Sequence, residues 1–349
     1  MKQNVKEYTL EELTDHVVAL GLPRFCAGQI FDWVYKKRIE DFSRMTNIAL
    51  KARVSLAESL CFSTLTCVAQ ETSVDATEKF LFELSDGARI ETVLIPEEDR
   101  LTLCVSSQVG CKYACSFCAS GASGFLRNLS AAEIIDQYLY ILDRCAPSNI
   151  TNIVFMGVGE PLDNFDAVTK AIRILMEPRG LCYGKRRICI STCGLVPAIT
   201  RLAEMKLGIK LSISLHAPTD ALRNTIMPVN KKYPLRTLIA AADRFARAEK
   251  YPVTFEYVLI EGLNASAASA RALAKLLAGT RCKVNVIPFN AVVAGVSRAS
   301  HAITVSSFGD ELKKHDIFFT VRKSRGADIA AACGQLRARF NPKFALKNC

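Results

Sequence analysis

Three cysteines in Cys111-Lys-Tyr-Ala-Cys115-Ser-Phe-Cys118 carry the strongest chemical signal in this chain. Thiolates are the ligands of iron-sulfur clusters, and a short loop with C-x3-C-x2-C spacing could hold three corners of one [4Fe-4S] cube. The fourth iron would stay open to a substrate. The chain has 14 cysteines in 349 residues, and at that density a fixed three-cysteine spacing arises by chance about 0.02 times. The plainer alternatives are three small buried residues or a zinc site short of one ligand.

The segments around this loop read as its scaffold. From residue 101 the chain alternates apolar runs with helix-length segments: LTLCVSS, NIVFMG, RICIST, KLSISLH, VTFEYVLI, KVNVIPF and, last, IFFTVR. Six βα-like repeats with a trailing strand predict an α/β fold, a parallel (βα)6 barrel or partial barrel of the TIM type. In such folds the loops after the strands' C-terminal ends build the active site. The cysteine loop follows the first run, and Gly157-Val158-Gly159-Glu160-Pro161 follows the second. Ser191 closes the third, Ser214-Leu215-His216 the fourth, and Pro288-Phe289-Asn290 the sixth, so one mouth is expected to collect them all. Singly the signals are weak: a lone GxGE is often a plain tight turn, and a polar strand-end residue is often only a hydrogen-bonded terminus.

Upstream, residues 1–65 read as a small helical domain. Thr9-x-x-Glu12 is a capping box, Gly21 a stop, and Pro23 can open the helix running through Phe31 to Tyr35. The cluster Lys36-Lys37-Arg38 could touch phosphate or complement the helix C-terminal dipole. Residues 66–100 form an extension holding a β-hairpin, KFLFEL then RIETVLI, turned at Ser85-Asp86-Gly87. Glu91 lies on its second strand, where a glutamate is often a surface residue. Residues 101–340 make the barrel and its C-terminal tail.

Composition bounds the partners. Half the residues are hydrophobic, no apolar run approaches the ~20 residues of a membrane span, and the N-terminus is too polar for a signal peptide. Scattered cysteines in a chain this long fit a reducing compartment, so the cytoplasm is the expected location. A formal charge of +11 favours a polyanionic partner but does not tell RNA from DNA or an acidic protein. Lys185-Arg186-Arg187 and Arg322-Lys323-Ser324-Arg325 could face phosphates or simply be solvated.

A cube with one open iron followed by a glycine-rich strand end resembles the radical S-adenosylmethionine (SAM) enzymes. Cys104-Val-Ser-Ser-Gln-Val-Gly-Cys111, Gly124-Phe-Leu-Arg-Asn-Leu129, Gly157-Val-Gly-Glu-Pro-Leu-Asp-Asn164, Ser191-Thr-Cys-Gly194, Ser214-Leu-His-Ala217, Ile287-Pro-Phe-Asn290 and Arg325-Gly-Ala-Asp328 with Ala332-Cys-Gly-Gln-Leu336 narrow the match. Together they are similar to the RlmN/Cfr family of radical SAM RNA adenine methyltransferases, over nearly the whole chain. The resemblance implies one [4Fe-4S] cluster on Cys111, Cys115 and Cys118, and two SAM molecules per turnover. SAM contacts are implied at Gly159, Glu160, Ser191, Ser214, Leu215, His216 and Asn290. It further implies that Cys333 accepts a methyl group, that a radical made at the cluster activates that group, and that the product stays tethered through Cys333. Cys104 then attacks the tethering sulfur and leaves a transient disulfide, with Glu91 as acceptor of the ring proton. The detour has a chemical motive, because a carbon flanked by two ring nitrogens is too electron-poor to attack SAM, whereas a carbon radical can add to it. Two positions depart from the usual family pattern: Ala119-Ser-Gly-Ala-Ser-Gly124 lacks a longer polar side chain, and Val158 stands where methionine is common.

The expected substrate is adenosine C2 in 23S rRNA at the peptidyl-transferase centre, and in tRNA beside the anticodon. An external electron donor and a disulfide reductant are expected partners, and the enzyme is expected to be a monomer. A Cfr-type enzyme, methylating adenine C8, would use the same residues. A protein-modifying radical enzyme or glycyl-radical activase is the rival from another class, but it needs no methyl-carrying thiol. A third reading is an iron-sulfur RNA-binding protein without catalysis.

Overall fold

A computed structural model of the chain describes residues 2–122, 124–145, 149–288, 302–322, 324–332 and 334–336. Ten strands form one sheet whose spatial order is the order of the chain. β1 (Thr66–Thr72), β2 (Glu78–Glu83), β3 (Arg89–Glu97) and β4 (Arg100–Cys104) pair antiparallel in succession. From β4 onward, β5 (Asn152–Phe155), β6 (Ile188–Thr192), β7 (Lys210–Ser214), β8 (Val253–Leu259), β9 (Cys282–Pro288) and β10 (Phe319–Val321) are parallel throughout. All seven apolar runs of the sequence are strands, and helices connect the parallel ones. Among the described residues β10 pairs only with β9, so the barrel is partial and its sheet open.

The parallel strands are rich in β-branched residues because helices cover one face and the barrel interior the other. Ile153, Ile190, Ile213, Phe255 and Val284 are almost wholly buried. The helix Ala131–Arg144 begins with a reciprocal cap, in which Ser130 accepts from the Glu133 amide and Glu133 accepts from the Ser130 amide. This fixes where the chain leaves the site loop and turns back along the barrel.

The extension differs from the lone hairpin read from the sequence. Its turn is where expected, with Gly87 at φ 78 and the Leu84 amide donating to the Ala88 carbonyl at 2.8 Å. However, β1 adds a further strand, and β3 joins β4, so the three strands continue the barrel sheet. β1 was hidden because TCVAQET lies at the sheet edge, alternating exposed and half-buried residues, and has no strong apolar face.

The N-terminal region is helical, with the Thr9/Glu12 box made in both directions and Gly21 at φ 73 past the first helix. The basic cluster is occupied locally: Lys36 and Lys37 face Asp32 at 3.4 and 3.8 Å, and Arg38 pairs with Asp143 of a barrel helix at 2.7 Å. Lys6 is fully buried and binds Asp136, Glu40 and the Ser63 carbonyl, stitching this region to the helix Ala131–Arg144.

Candidate functional site

The cysteine loop follows β4 and is pinched at its base. Gln108–Gly110 pairs antiparallel with Phe125–Asn128, and the Cys111 amide donates to the Gly124 carbonyl at 2.8 Å. Gly110 has φ 75, and a Cβ there would overlap the Gly124 oxygen, so the pinch requires glycine. Inside the loop, Ala114 takes φ 46 and the Cys118 amide donates to the Cys115 carbonyl at 3.0 Å, a tight turn between the last two thiols. Cys111, Cys115 and Cys118 line one cavity of about 160 Å³, at the C-terminal ends of the parallel strands, as the mouth hypothesis expects.

These residues fit an iron-sulfur cluster. Burial pushes the Cys111 thiol up to about 12, with neighbouring Glu160 and Cys118 adding to the effect, and burial raises Cys115 as well. Cys111 and Cys115, which resist ionisation, need cationic iron to become thiolates. Among the described residues no three His, Cys, Asp or Glu converge closely enough to hold a single metal ion. A cube instead spreads its thiolates over separate irons.

The glycine-rich segment after β5 lies against the backbone that leads into the cysteine loop. The Gly157 amide donates to the Val105 carbonyl at 3.1 Å, and the Val158 amide to Ser106 Oγ at 2.9 Å. A Cβ on Gly157 would stand 2.7 Å from Ser106 Oγ and from the Val105 oxygen. Gly159 has φ 105, and its Cβ would reach 2.5 Å from the Gln108 Cβ. The glycines therefore permit a close backbone approach, and next to them Glu160 turns inward. Its carboxylate accepts from the Leu162 amide at 3.0 Å and the Cys193 amide at 2.7 Å. Burial raises the Glu160 carboxyl and these N–H groups pull it back, a balance that an incoming ammonium would complete.

Ser191, next to last in β6, and Ser214, last in β7, both line the cavity with His216. His216 is buried at φ 55, with Nδ1 accepting from the Val258 amide at 3.0 Å. Nε2 therefore carries the proton, and burial, with Arg223 nearby, depresses the imidazole to about 3. This left-handed turn is held from behind. Asn264 Nδ2 donates to the His216 carbonyl at 2.8 Å, and the wholly buried Arg223 donates to the carbonyls of Cys193, Ser214 and Leu215 at 2.7 to 3.1 Å. Leu215 itself points into the core and does not line the cavity. Asn290 lies outside the described residues.

A second buried cluster adjoins the mouth. Cys104, at the end of β4, packs with Val93 of β3, Val158 of the glycine segment, and Ala331 and Leu336 of the C-terminal tail. Cys333 itself lies outside the described residues, but its neighbours approach the cysteine loop. The Gly334 carbonyl accepts from the Ala119 amide at 2.7 Å, the Leu336 carbonyl accepts from Ser120 Oγ at 2.7 Å, and both residues line the cavity. Glu91 is only 3 % exposed, which removes the surface reading of this strand residue. It shares a face of β3 with Val93, and Lys79 Nζ stands 3.8 Å from its carboxylate while bonding the Ile329 carbonyl.

Glu256 and Phe117 carry no cavity signal in the sequence, and Arg322, read there as a phosphate contact or a solvated cation, lines the cavity instead. Glu256 of β8 is buried and accepts from Asn285 of β9 at 2.8 Å. Burial raises its carboxyl, and Arg322, Asn285 and Ser212 lower it. Arg322 follows β10 and reaches Met156 Sδ, at 3.8 Å, on the far side of the cavity. Phe117 meets the His216 ring edge-on at 4.6 Å. The register Ser214 to Glu256 to Asn285 to Thr320 explains the gap: the row is polar only across four separate strands, a neighbourhood that linear spacing does not show.

The comparisons with known proteins agree with this geometry. The Radical SAM superfamily profile matches residues 105–272, and the ribosomal RNA large subunit methyltransferase N-terminal domain matches residues 3–62. A dual-specificity RNA methyltransferase RlmN of Syntrophobacter fumaroxidans is 45% identical over 337 residues, covering 96% of this chain and 98% of its own. That of Syntrophotalea carbinolica is 44% identical over 338 residues, 97% of this chain and 90% of its own. The crystal structure of a radical SAM methyltransferase from Sphaerobacter thermophilus superposes with a TM-score of 0.90 at 46% identity, covering 96% of this chain and 99% of that one. The chain belongs to the dual-specificity RNA methyltransferase RlmN family, within the radical SAM superfamily.

Proposed function

We propose that this protein methylates C2 of adenosine in 23S rRNA, at the peptidyl-transferase centre, and in tRNA beside the anticodon. The observation that carries the reading is the buried cluster joining Cys104 to the glycine segment and to both sides of position 333. A radical enzyme acting by the three-cysteine loop alone has no use for such a thiol beside its tail.

Cys111, Cys115 and Cys118 are the residues to hold a [4Fe-4S] cluster, with Glu160, Ser191, Ser214 and His216 around SAM; Gly159, Asn290 and, through its backbone alone since its side chain points into the core, Leu215 complete the proposed set. When bound, the cluster and SAM supply a carbon radical strong enough to take a hydrogen atom from a methyl group. His216, neutral because it is buried, can donate from Nε2 but does not exchange protons near pH 7. Cys333 is the proposed methyl carrier. The Cys104 thiolate would attack the sulfur of Cys333, forming the disulfide while the C–S electron pair leaves with the product carbon and takes up a proton. Glu91, buried with Lys79 beside it, is the proposed acceptor for the ring proton. An outside reductant would restore the two thiols, an outside donor would reduce the cluster, and the enzyme would act as a cytoplasmic monomer. No helix among the described residues is long and apolar enough to cross a membrane.

The test is mass spectrometry of a Cys104→Ala variant isolated from cells. It is expected to carry RNA covalently attached through Cys333. A Cys333 that is neither methylated nor RNA-linked, in protein with a full cluster supplied with SAM, would remove the carrier mechanism.

A further inference from the structure

A share of the chain's positive charge lies away from the mouth. The segments 179–187, 206–210, 250–253 and 279–283 hold nine Lys or Arg and no Asp or Glu, against a formal +11 for the whole chain. Each leads into the N-terminal end of one strand, β6, β7, β8 or β9. These four strands are sheet neighbours and parallel, so the segments share the closed end of the barrel, opposite the cysteine loop.

The arc is contiguous, and its nearest carboxylates, Glu249 beside Lys185 and Glu256 beside Lys283, are buried. A Cβ on Gly208 would lie 2.5 Å from the Lys185 side chain, and the Arg186 guanidinium stands 5.6 Å from the Tyr251 ring. Eight of the nine cations are exposed and Lys283 is half-buried. Among the described residues none of the nine has an ion pair, although Glu177 and Glu204 border the arc. Glu249, behind Lys185, is buried and accepts from the Gly208 amide at 2.7 Å. Several cations elsewhere on the surface are paired: Arg89 with Glu83 at 2.8 Å, Lys170 with Glu12 at 2.8 Å, Arg201 with Asp166 at 2.7 Å. At the mouth Lys112 is taken by Asp163 at 2.7 Å.

We propose that this closed-end arc is a second RNA-binding surface, gripping the phosphate backbone of a part of the substrate remote from the target base. The proposal rests on the RNA methyltransferase reading above. The arc runs into the N-terminal helical region, where Arg179 lies over Gly28 and Gly180 packs on Phe31 and Tyr35, so a folded RNA passing that side could engage both ends. A five-residue strand such as β6 separates the arc from the mouth by about 17 Å at ~3.3 Å per residue, before the loops are counted. That separation disfavours an acidic electron-donor protein on this face, because it would dock at the end farthest from the cysteines. It suits RNA, whose charge extends over the length of the fold.

Two disjoint variants of the full-length enzyme, K185E/R186E/R187E and K206E/K210E/K250E, test this, each checked for cluster content and thermal midpoint. Binding to a full-length tRNA transcript would be measured against salt, alongside methylation of that transcript and of its isolated anticodon hairpin. The arc predicts, for both variants, about tenfold weaker binding of the full tRNA and a salt slope reduced by about 2. Methylation of the short hairpin should stay at the wild-type rate. Wild-type affinity and slope in both folded variants would overturn the arc while leaving the methyltransferase reading intact. Unchanged RNA binding with slowed reduction of the enzyme by an acidic donor protein would also overturn it, in favour of a donor surface. A wild-type enzyme that neither binds nor methylates the tRNA or a 23S rRNA fragment would instead remove the reading on which the arc rests.

Discussion

At the scale of single residues, burial opposes charge on the side chains of the site, raising Cys111, Cys115 and Glu160 and lowering His216. His216 illustrates the consequence for stability. Below about 6.5 the unfolded chain protonates this residue, whereas the folded chain does not until about 3 because burial opposes the charge. The unfolded state therefore binds more protons across that window, and folding stability should fall as pH drops from 6.5 towards 3. A His216→Gln variant, which keeps an acceptor for the Val258 amide, should lose part of that slope in urea unfolding measured across the window. An unchanged slope would mean that His216 is charged when folded. Gly159 makes the complementary case for space. Its Cβ would meet Gln108 at 2.5 Å and the backbone there is at φ 105, a combination worth about 1–3 kcal/mol of strain. Gly159→Ala should weaken SAM binding by about tenfold or more in equilibrium dialysis of cluster-loaded protein, with the brown chromophore retained. Both glycine and histidine were legible as site residues from local motifs. Their burial and hydrogen bonds were not.

At the scale of elements, the strand ends hold their shape because buried polar side chains replace missing backbone partners. Arg223 satisfies carbonyls at the ends of β6 and β7 and bonds Asn230 at 2.9 Å. Removing it leaves several buried acceptors without donors, and each orphaned group costs about 1–3 kcal/mol. Arg223→Met should thus lower unfolding free energy by roughly 3–5 kcal/mol and disturb SAM binding, while Arg201→Met, at a solvent-exposed pair, should do neither. Urea midpoints of the two variants give the comparison. The helices and parallel strands were readable because apolar runs and capping boxes are local signals, as at Thr9/Glu12. β1 was not, because its pattern is that of a half-exposed edge. The row Ser214, Glu256, Asn285 and Thr320 was invisible for a different reason, since only the register of four strands assembles it.

At the scale of the whole molecule, one continuous sheet ties the extension bearing Glu91 to the barrel bearing the cysteine loop, and Cys104 sits where the antiparallel part meets the parallel part. The tail around position 333 closes over this junction through Ala331, Gly334 and Leu336. The central claim is that this assembly makes 2-methyladenosine. Nucleoside mass spectrometry of 23S rRNA and tRNA from a host lacking its own such enzyme, with and without this gene, tests it most directly. The account predicts 2-methyladenosine in both RNAs only when the gene is present. Appearance of 8-methyladenosine instead, or of neither nucleoside from protein shown to hold its cluster, would contradict it.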